Sequence, residues 1–171
     1  CILASGPDPE TDTYTIDLQT DLPRITALRL ELLPDESTHL IGRSPHGNIV
    51  LSSLRIEADG RALPVSLALA DFEQVKADGQ GPRWTIADTI DGDPRSGWAI
   101  KPQQDRPHTA VFKLAAPISS KHLRVTLAQN FGGKHTLARF RLSATPDANP
   151  QAAAPLSQDI LAILASPSRT A

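Results

Sequence analysis

Three aspartates, Asp88, Asp91 and Asp93, lie within six residues of one polar loop, residues 85 to 108, and their carboxylates are suited to bind a cation. Calcium requires six to eight oxygen ligands. The carboxylates of Asp91 and Asp93, the hydroxyl of Ser96 and the carbonyls of the turn supply oxygens over a short stretch of chain. We therefore expect Asp91, Asp93 and Ser96 to hold a structural calcium ion. The alternative is an ordinary turn in which each Asp accepts hydrogen bonds from nearby backbone.

A second group of side chains suits the recognition of sugars, which combines an aromatic surface with planar polar groups that reach hydroxyls. Aromatic residues make up only 4% of the chain, so few surfaces of this kind are available. A tryptophan is more often a core residue than a binding surface, so Trp98 is also consistent with a core position, and Phe131 with an anchor of its own loop. The predicted ligand-binding residues are Trp98, His108, Gln129, Asn130, His135 and Arg139.

Catalytic arrangements are less well supported by the sequence. Ser96, His108 and Asp105 could form a nucleophilic set, but no Gly-x-Ser-x-Gly turn accompanies them. Nothing selects a pair of carboxylates for glycoside cleavage. His46 and His135 together with His108 could bind a transition metal, although their spacing is not diagnostic. The sequence favours recognition over chemistry, and we expect a protein that is not an enzyme.

Composition narrows the classes of partner. Charged residues are 21% of the 171 residues and the formal net charge is −2, which argues against nucleic acid as a ligand. No run of about 18 apolar residues is present, so no transmembrane segment is expected. Cys1 is the single cysteine. It is explained by a cut within a larger protein, or by a mature lipoprotein that begins with cysteine.

The elements that must position these side chains are short strands. In residues 25 to 32, Leu28, Leu30 and Leu32 share one face, which is typical of a half-buried antiparallel strand. Similar alternation recurs at residues 14–18, 48–59, 63–69, 110–114, 122–127 and 137–142. About eight strands without helices between them predict an all-β protein, an antiparallel β-sandwich or jelly roll. Parallel strands would need crossover helices.

The C-terminal part of the chain changes character. Residues 1–145 are predicted to form the sandwich and residues 146–155 a linker. Residues 156–171 are predicted to form a short helical tail, with Ser157 as its N-cap. The tail either docks on the sandwich or begins a following domain, because so short a helix is not stable alone. One side of this helix carries Leu156, Ile160, Ile163 and Leu164.

Six segments resemble, in order, successive blocks of a domain found in large planctomycete-type secreted proteins, where it accompanies cytochrome c-like domains. The family positions of Ser53 and Ala138 commonly hold an acidic residue and a glycine, so this chain departs from the pattern there. No Cys-x-x-Cys-His haem attachment sequence occurs in the chain. The six segments are ILASGPDPETDTYTIDL, ITALRLELLPD, GRSPHGNIVLSSLRI, IDGDPRSGWAI, RPHTAVFKL and LAQNFGGKHTLARFRLS.

The resemblance implies a galactose-binding-like, or discoidin-like, jelly roll. The loop from Asp91 to Trp98 is similar to the DG-x-x-x-[ST]-G-W loop of carbohydrate-binding modules with that fold, many of which hold a structural calcium there. We therefore expect an extracytoplasmic, non-catalytic, carbohydrate-binding module of a larger multidomain protein, with a polysaccharide or glycan and the neighbouring domains as partners. The alternative is a structural spacer beside cytochrome c-like domains, without a glycan ligand.

Overall fold

The computed structural model of the chain describes residues 1–74 and 84–150. Within these ranges the chain forms nine β-strands and one short 3₁₀ helix, Ile86–Thr89. In chain order the strands are β1 (Ile2–Leu3), β2 (Asp12–Gln19), β3 (Ile25–Leu33), β4 (Ser53–Ala58), β5 (Arg61–Ala62), β6 (Val65–Ala70), β7 (His108–Ile118), β8 (His122–Gln129) and β9 (Arg139–Thr145).

The strands form two sheets in which every described pair is antiparallel. The five-stranded sheet has the order β1-β9-β3-β7-β6, and the four-stranded sheet has the order β2-β8-β4-β5. The prediction of an all-β antiparallel sandwich is confirmed. Pro64 precedes β6, which lies at the edge of its sheet, where a missing backbone N–H is tolerated.

The core lies between the two sheets because each strand places alternate side chains on one face. Leu28, Leu30 and Leu32 of β3 are fully buried, as the alternation of residues 25 to 32 predicts. The facing sheet contributes Val125 and Leu127 of β8, also fully buried. Burial of each such side chain stabilises the fold by roughly 1.5–3 kcal/mol relative to exposure.

One predicted strand begins later than the sequence indicates. Alternation starts at Asn48, whereas β4 begins at Ser53. Leu51 forms an isolated bridge with Trp98, and the backbone N–H of Ser52 donates to a carbonyl at the end of β8. Residues 48–52 hydrogen-bond to different neighbours in turn, so they connect loops instead of extending a sheet.

Long loops gather at one end of the sandwich, which we call the rim. It is formed by residues 34–52, by residues 71–74 and 84–107, and by residues 130–138. Strands β3, β6 and β8 end there, and β4, β7 and β9 begin there. The connections at the opposite end are much shorter, so most of the predicted site residues lie at the rim.

The helical tail predicted for residues 156–171 lies outside the described residues, as does the second half of the predicted linker, since the description ends at Pro150. In the part of the chain that is described, no helix has both the length and the hydropathy needed to cross a membrane.

Candidate functional site at the rim

The hydroxyl of Ser96 is surrounded by oxygen atoms in the loop 88–98, which we call the acidic loop. Ser96 Oγ lies 3.1 Å from the carbonyl oxygen of Asp88, 2.8 Å from that of Asp93, and 2.9 and 3.1 Å from the two carboxylate oxygens of Asp91. A hydroxyl has one proton to donate, so it cannot satisfy four acceptors together. The loop therefore presents a cluster of oxygen lone pairs of the kind that a hard cation prefers.

The three carboxylates of the acidic loop have different partners. Asp93 accepts two hydrogen bonds from the guanidinium of Arg95, each of 3.0 Å. These bonds, followed by the bond from the Arg95 backbone N–H, lower the pKa of Asp93 below its usual value of 3.8. The carboxylate of Asp88 accepts the backbone N–H of Thr85 and caps the 3₁₀ helix. Asp91 is the carboxylate that faces Ser96.

Calcium binding at this loop stays a prediction, because Asp91 and Asp93 also accept the backbone N–H groups two residues further on, as the alternative of an ordinary turn predicts. Asp91 and Ser96 would contribute side-chain oxygens, whereas Asp93 would contribute its carbonyl because Arg95 holds its carboxylate. Within residues 1–74 and 84–150, no group of three or more His, Cys, Asp or Glu side chains could hold a metal ion. A cation at this loop would therefore depend on backbone carbonyls and on water for its remaining ligands.

Close backbone contact holds the acidic loop on the sandwich. The backbone groups of Trp98 and Leu51 exchange two hydrogen bonds of 2.9 Å. A Cβ atom on Gly97 would lie 2.6 Å from the carbonyl oxygen of Leu51, so this approach requires glycine. The indole N–H of Trp98 donates to the carbonyl of Phe72 at 2.8 Å. The loop is thus tied to two other rim segments.

Three of the predicted sugar-binding side chains are inside the protein. Trp98 is fully buried, and His108 and Gln129 are 1% exposed. His108 Nδ1 lies 3.1 Å from a carboxylate oxygen of Asp71, and its Nε2 lies 2.7 Å from the Gln103 carbonyl. These side chains have no surface for a sugar. The structure thus does not support the ligand roles that the sequence suggested for them, because each is committed to the core.

The other three predicted sugar-binding residues are accessible but separate. Asn130 is exposed at the start of the loop 130–138, and His135 in the same loop is half-buried. Arg139 lies at the start of β9, where it forms an ion pair with Glu36 at 3.1 Å. The same guanidinium donates to the carbonyl of Pro34, so Arg139 fastens loop 34–52 to β9. Asn130 and His135 remain as candidates that share one loop.

An aromatic cluster at the rim includes two residues that were not among the predicted ligands. Phe131 is 52% exposed, although the sequence suggested that it anchors its loop. Its ring meets Trp84 edge-on, with centroids 5.4 Å apart and an interplanar angle of 86°. On another side it meets His135 at 5.0 Å and 79°. We refer to Trp84, Phe131 and His135 as the aromatic cluster.

Sequence spacing offers no signal for the aromatic cluster. Trp84 precedes the acidic loop, whereas Phe131 follows β8, and the tertiary fold brings the two loops together. Phe131 gives no signal of its own in the sequence, because a single apolar residue in a surface loop is common.

The N-terminal segment before β2 supports the loop that carries Phe131. The backbone N–H of Gly133 donates to the Glu10 carboxylate at 2.9 Å, and that of Lys134 donates to the Glu10 carbonyl at 3.2 Å. The ammonium of Lys134 pairs with Asp8 at 3.3 Å, and Arg43 pairs with the other oxygen of Asp8 at the same distance. The loop is thus held in place by several charge-assisted contacts.

Comparison of the chain with protein-family models, with curated proteins and with solved structures finds no match. The discoidin-like family and the jelly-roll type stay predictions from the resemblance. The two-sheet architecture and the geometry of the rim are shown by the structure itself.

Proposed function

We propose that this chain is a non-catalytic, extracytoplasmic binding module of a larger protein, and that its rim binds carbohydrate. The observation that carries the proposal is the exposed ring of Phe131, held edge-on by Trp84 and His135. An aromatic side chain that is half exposed and fixed by its neighbours presents a rigid apolar face to solvent. The aliphatic C–H face of a sugar ring is a suitable partner for such a surface.

Polar groups beside Phe131 supply the second requirement of sugar recognition. Asn130 is exposed on the adjacent position of the loop, and an amide both donates and accepts hydrogen bonds. His135 accepts or donates through the ring nitrogen opposite the one that lies 2.8 Å from the Gly132 carbonyl. In the proposed complex Phe131 provides the stacking surface, while Asn130 and His135 hydrogen-bond to the sugar hydroxyls.

Calcium is proposed as a structural cofactor of the acidic loop. Asp91, Ser96 and the carbonyls of Asp88 and Asp93 would hold it. When bound, the ion would reduce the electrostatic repulsion between these oxygen atoms. The 3₁₀ helix Ile86–Thr89 links this loop to Trp84 of the aromatic cluster. An ordered acidic loop would therefore help to keep Trp84 against Phe131. The secreted location rests on the family resemblance alone.

A glycan-array screen of the chain, in calcium and again in a chelator, tests the proposed function. We expect binding to a defined set of glycans, and a loss of about tenfold in affinity for Phe131→Ala, which corresponds to ~1.4 kcal/mol. Leu3→Ala is the matched control because it removes another exposed apolar side chain, 59% exposed, outside the aromatic cluster. An array without signal in both conditions would refute glycan binding.

Thermal unfolding with and without calcium tests the cofactor. At a free calcium concentration 100-fold above Kd, binding stabilises the folded state by about 2.7 kcal/mol, and a chelator removes this. Asp91→Asn should abolish the calcium-dependent shift of Tm. Asp93→Asn should largely retain it, because the carbonyl of Asp93 and not its carboxylate faces Ser96. An identical Tm in calcium and in chelator would remove the calcium proposal.

A structural spacer is the second candidate function. It is favoured by the burial of Trp98, His108 and Gln129, which leaves half of the predicted sugar ligands in the core. A spacer would retain no glycan on the array, and Phe131 would contact a neighbouring domain of the same protein. Protection of Phe131 from solvent in the full-length protein, together with a blank array, would favour this candidate.

A further inference from the structure

Strand β2 is the outermost strand of the four-stranded sheet, and among the described strands none pairs with its free edge. The strand is eight residues long and contains neither proline nor glycine. A long, regular edge strand is a place where another chain can add a strand, unless charges or prolines prevent it. The charge of Asp17, near its middle, is balanced by Arg124 of the same sheet at 2.7 Å. The free edge of β2 is therefore open to pairing.

The backbone groups on the free edge can be assigned from the hydrogen bonds on the other edge. The N–H of Thr20 donates to the carbonyl of Lys121 at 3.0 Å, in the register that pairs β2 with β8. Hydrogen-bonded and non-hydrogen-bonded pairs alternate along an antiparallel ladder, so the even-numbered residues of β2 bond to β8. Thr13 agrees with this assignment, because its N–H bonds to the Asp12 carboxylate at 2.8 Å. The residues whose backbone groups point away from the sheet are Thr13, Thr15, Asp17 and Gln19.

Apolar side chains next to the free edge are only half-buried. Tyr14, Ile16 and Leu18 pack against the core but keep part of their surface exposed. Val125 and Leu127 of the neighbouring strand β8 are fully buried. The difference arises because no described strand covers β2 on its outer side. A cavity of about 150 Å³, lined by residues of both sheets and mostly apolar, opens beside Leu18. A further strand at this edge would bury apolar surface that is now exposed.

The residues of β2 match a second copy of β2 in one antiparallel register, with the two-fold axis at Ile16. The outward backbone groups of Thr15 then meet those of Asp17 in the second copy, and the reverse holds across the axis. The Thr15 hydroxyl lies opposite the Asp17 carboxylate, which can accept its hydrogen bond. On the core side, Tyr14 meets Leu18 and Ile16 meets Ile16. Polar groups thus face polar groups, and apolar groups face apolar groups.

Other registers are less favourable. A shift by one residue would place the inward side chains of one copy opposite the outward side chains of the other. A shift by two residues would place Asp17 opposite Asp17 in one direction, and Leu18 opposite Asp12 in the other direction. The first arrangement brings like charges together, and the second brings a carboxylate against an apolar side chain. The sequence of β2 therefore favours a single register.

We propose that two copies of this chain associate through β2 into a symmetric dimer in which the two four-stranded sheets form one continuous sheet. Both copies contribute the same strand, so the interface is complete with two chains. One pair of strands is a small interface, and the dimer is therefore expected to be weak and to depend on protein concentration. This assignment is independent of the proposed binding function, because the aromatic cluster lies on other residues.

A single engineered cysteine tests the register. In a Cys1→Ser background, which removes the natural thiol, Ile16→Cys places two thiols across the two-fold axis. The Cα atoms of such a non-hydrogen-bonded pair lie about 4.5 Å apart, a distance that a disulfide can span. We expect a disulfide-linked dimer on a non-reducing gel. Ser66→Cys on β6, the edge strand of the other sheet, is the control and should stay monomeric. No cross-link for Ile16→Cys, or equal cross-linking of both variants, would overturn the proposal.

Two opposite charges at one exposed position provide a second measurement, by sedimentation velocity over a range of protein concentrations. Thr15→Asp places a carboxylate opposite Asp17 of the second copy, twice per dimer, and should weaken association by about tenfold. Thr15→Lys places a cation there and should retain or strengthen association. Thr15 is exposed, so both variants should fold, which circular dichroism checks. Equal association of the two variants, or a monomer at every concentration of the unmodified chain, would exclude this dimer.

Discussion

The side chains of Asp71 and His108 meet beneath the rim, where little solvent reaches them. The carboxylate of Asp71 faces His108 Nδ1 with one oxygen and accepts the backbone N–H of Thr109 with the other. His108 is fixed on its opposite side by the Gln103 carbonyl. Asp71 therefore joins the end of β6 to the start of β7 and to the loop before it, which is a structural role.

Removal of this carboxylate should be costly. Asp71→Ala removes the carboxylate that faces the buried His108 ring and that accepts the partly buried Thr109 N–H, and we expect a loss of about 3 kcal/mol in the free energy of unfolding. Asp17→Ala is the control, since Asp17 pairs with Arg124 on an exposed face and its removal should change little. Urea unfolding of the two variants measures the difference. Similar midpoints for both would contradict the structural role of Asp71.

Arg95 controls the ionisation of Asp93 in the acidic loop. The folded-state pKa of Asp93 is lowered, so the pair contributes stability above the unfolded pKa of 3.8 and loses it as pH falls through the lower folded value. In Arg95→Ala we expect the pKa of Asp93 to return towards 3.8. Carboxyl NMR titration measures this change. The pKa of Asp17, which Arg124 lowers in the same way, serves as the internal control and should not move.

At the scale of elements, the acidic loop depends on a close approach between two stretches of backbone. Gly97 and Gly92 both lie in this loop, but only Gly97 stands where a Cβ would meet another segment, at 2.6 Å from the Leu51 carbonyl. A Cβ on Gly92 would meet nothing within 4 Å. Leu51 hydrogen-bonds to Trp98 of the acidic loop, and the next residue, Ser52, hydrogen-bonds to β8. A displacement of the Leu51 backbone would therefore affect both parts of the rim.

Gly97→Ala should therefore destabilise the protein by roughly 2 kcal/mol, because backbone atoms must move apart. Gly92→Ala, whose φ of +86° also disfavours a side chain, should cost about 1 kcal/mol. The difference in the free energy of unfolding between the two variants measures the effect of the close contact with Leu51. Thermal unfolding measures it, and a Gly97 variant that is no less stable than the Gly92 variant would argue against the close approach.

At the scale of the molecule, the two tryptophans report on two regions. Trp98, at the end of the acidic loop, is fully buried in the core, whereas Trp84 is half-buried at the rim beside Phe131. The core and the rim can thus be observed separately by fluorescence.

Trp84→Phe should leave an emission that is blue-shifted and protected from acrylamide, because the remaining indole is Trp98. Trp98 is expected to become accessible only when the whole sandwich unfolds, since a domain of this size usually unfolds cooperatively. Fluorescence quenching and circular dichroism during urea unfolding check both statements. Efficient quenching of Trp98 in the native state would contradict its position in the core.

Much of the architecture could be predicted from residue patterns. Alternation in residues 25–32 and 122–127 indicated half-buried strands, and the structure places β3 and β8 there with the expected faces inward. The prediction of these strands succeeds because successive side chains of a strand point to opposite faces. A strand with one buried face therefore shows apolar residues at every second position. Residues 48–52 show the limit of this prediction, since a segment with alternating residues can pair with loops as well as with a sheet.

At the rim, the pattern of residues did not predict which side chains are buried and which are exposed. Its composition indicated that Asp91, Ser96 and a tryptophan belong to one loop, and the structure brings Asp91 and Ser96 together. Only the tertiary structure decided that Trp98 is buried while Phe131 is exposed, and that Phe131 meets Trp84. The physical reason is that burial of a loop residue depends on which distant loops pack against it, and these contacts leave no periodic signal in the chain.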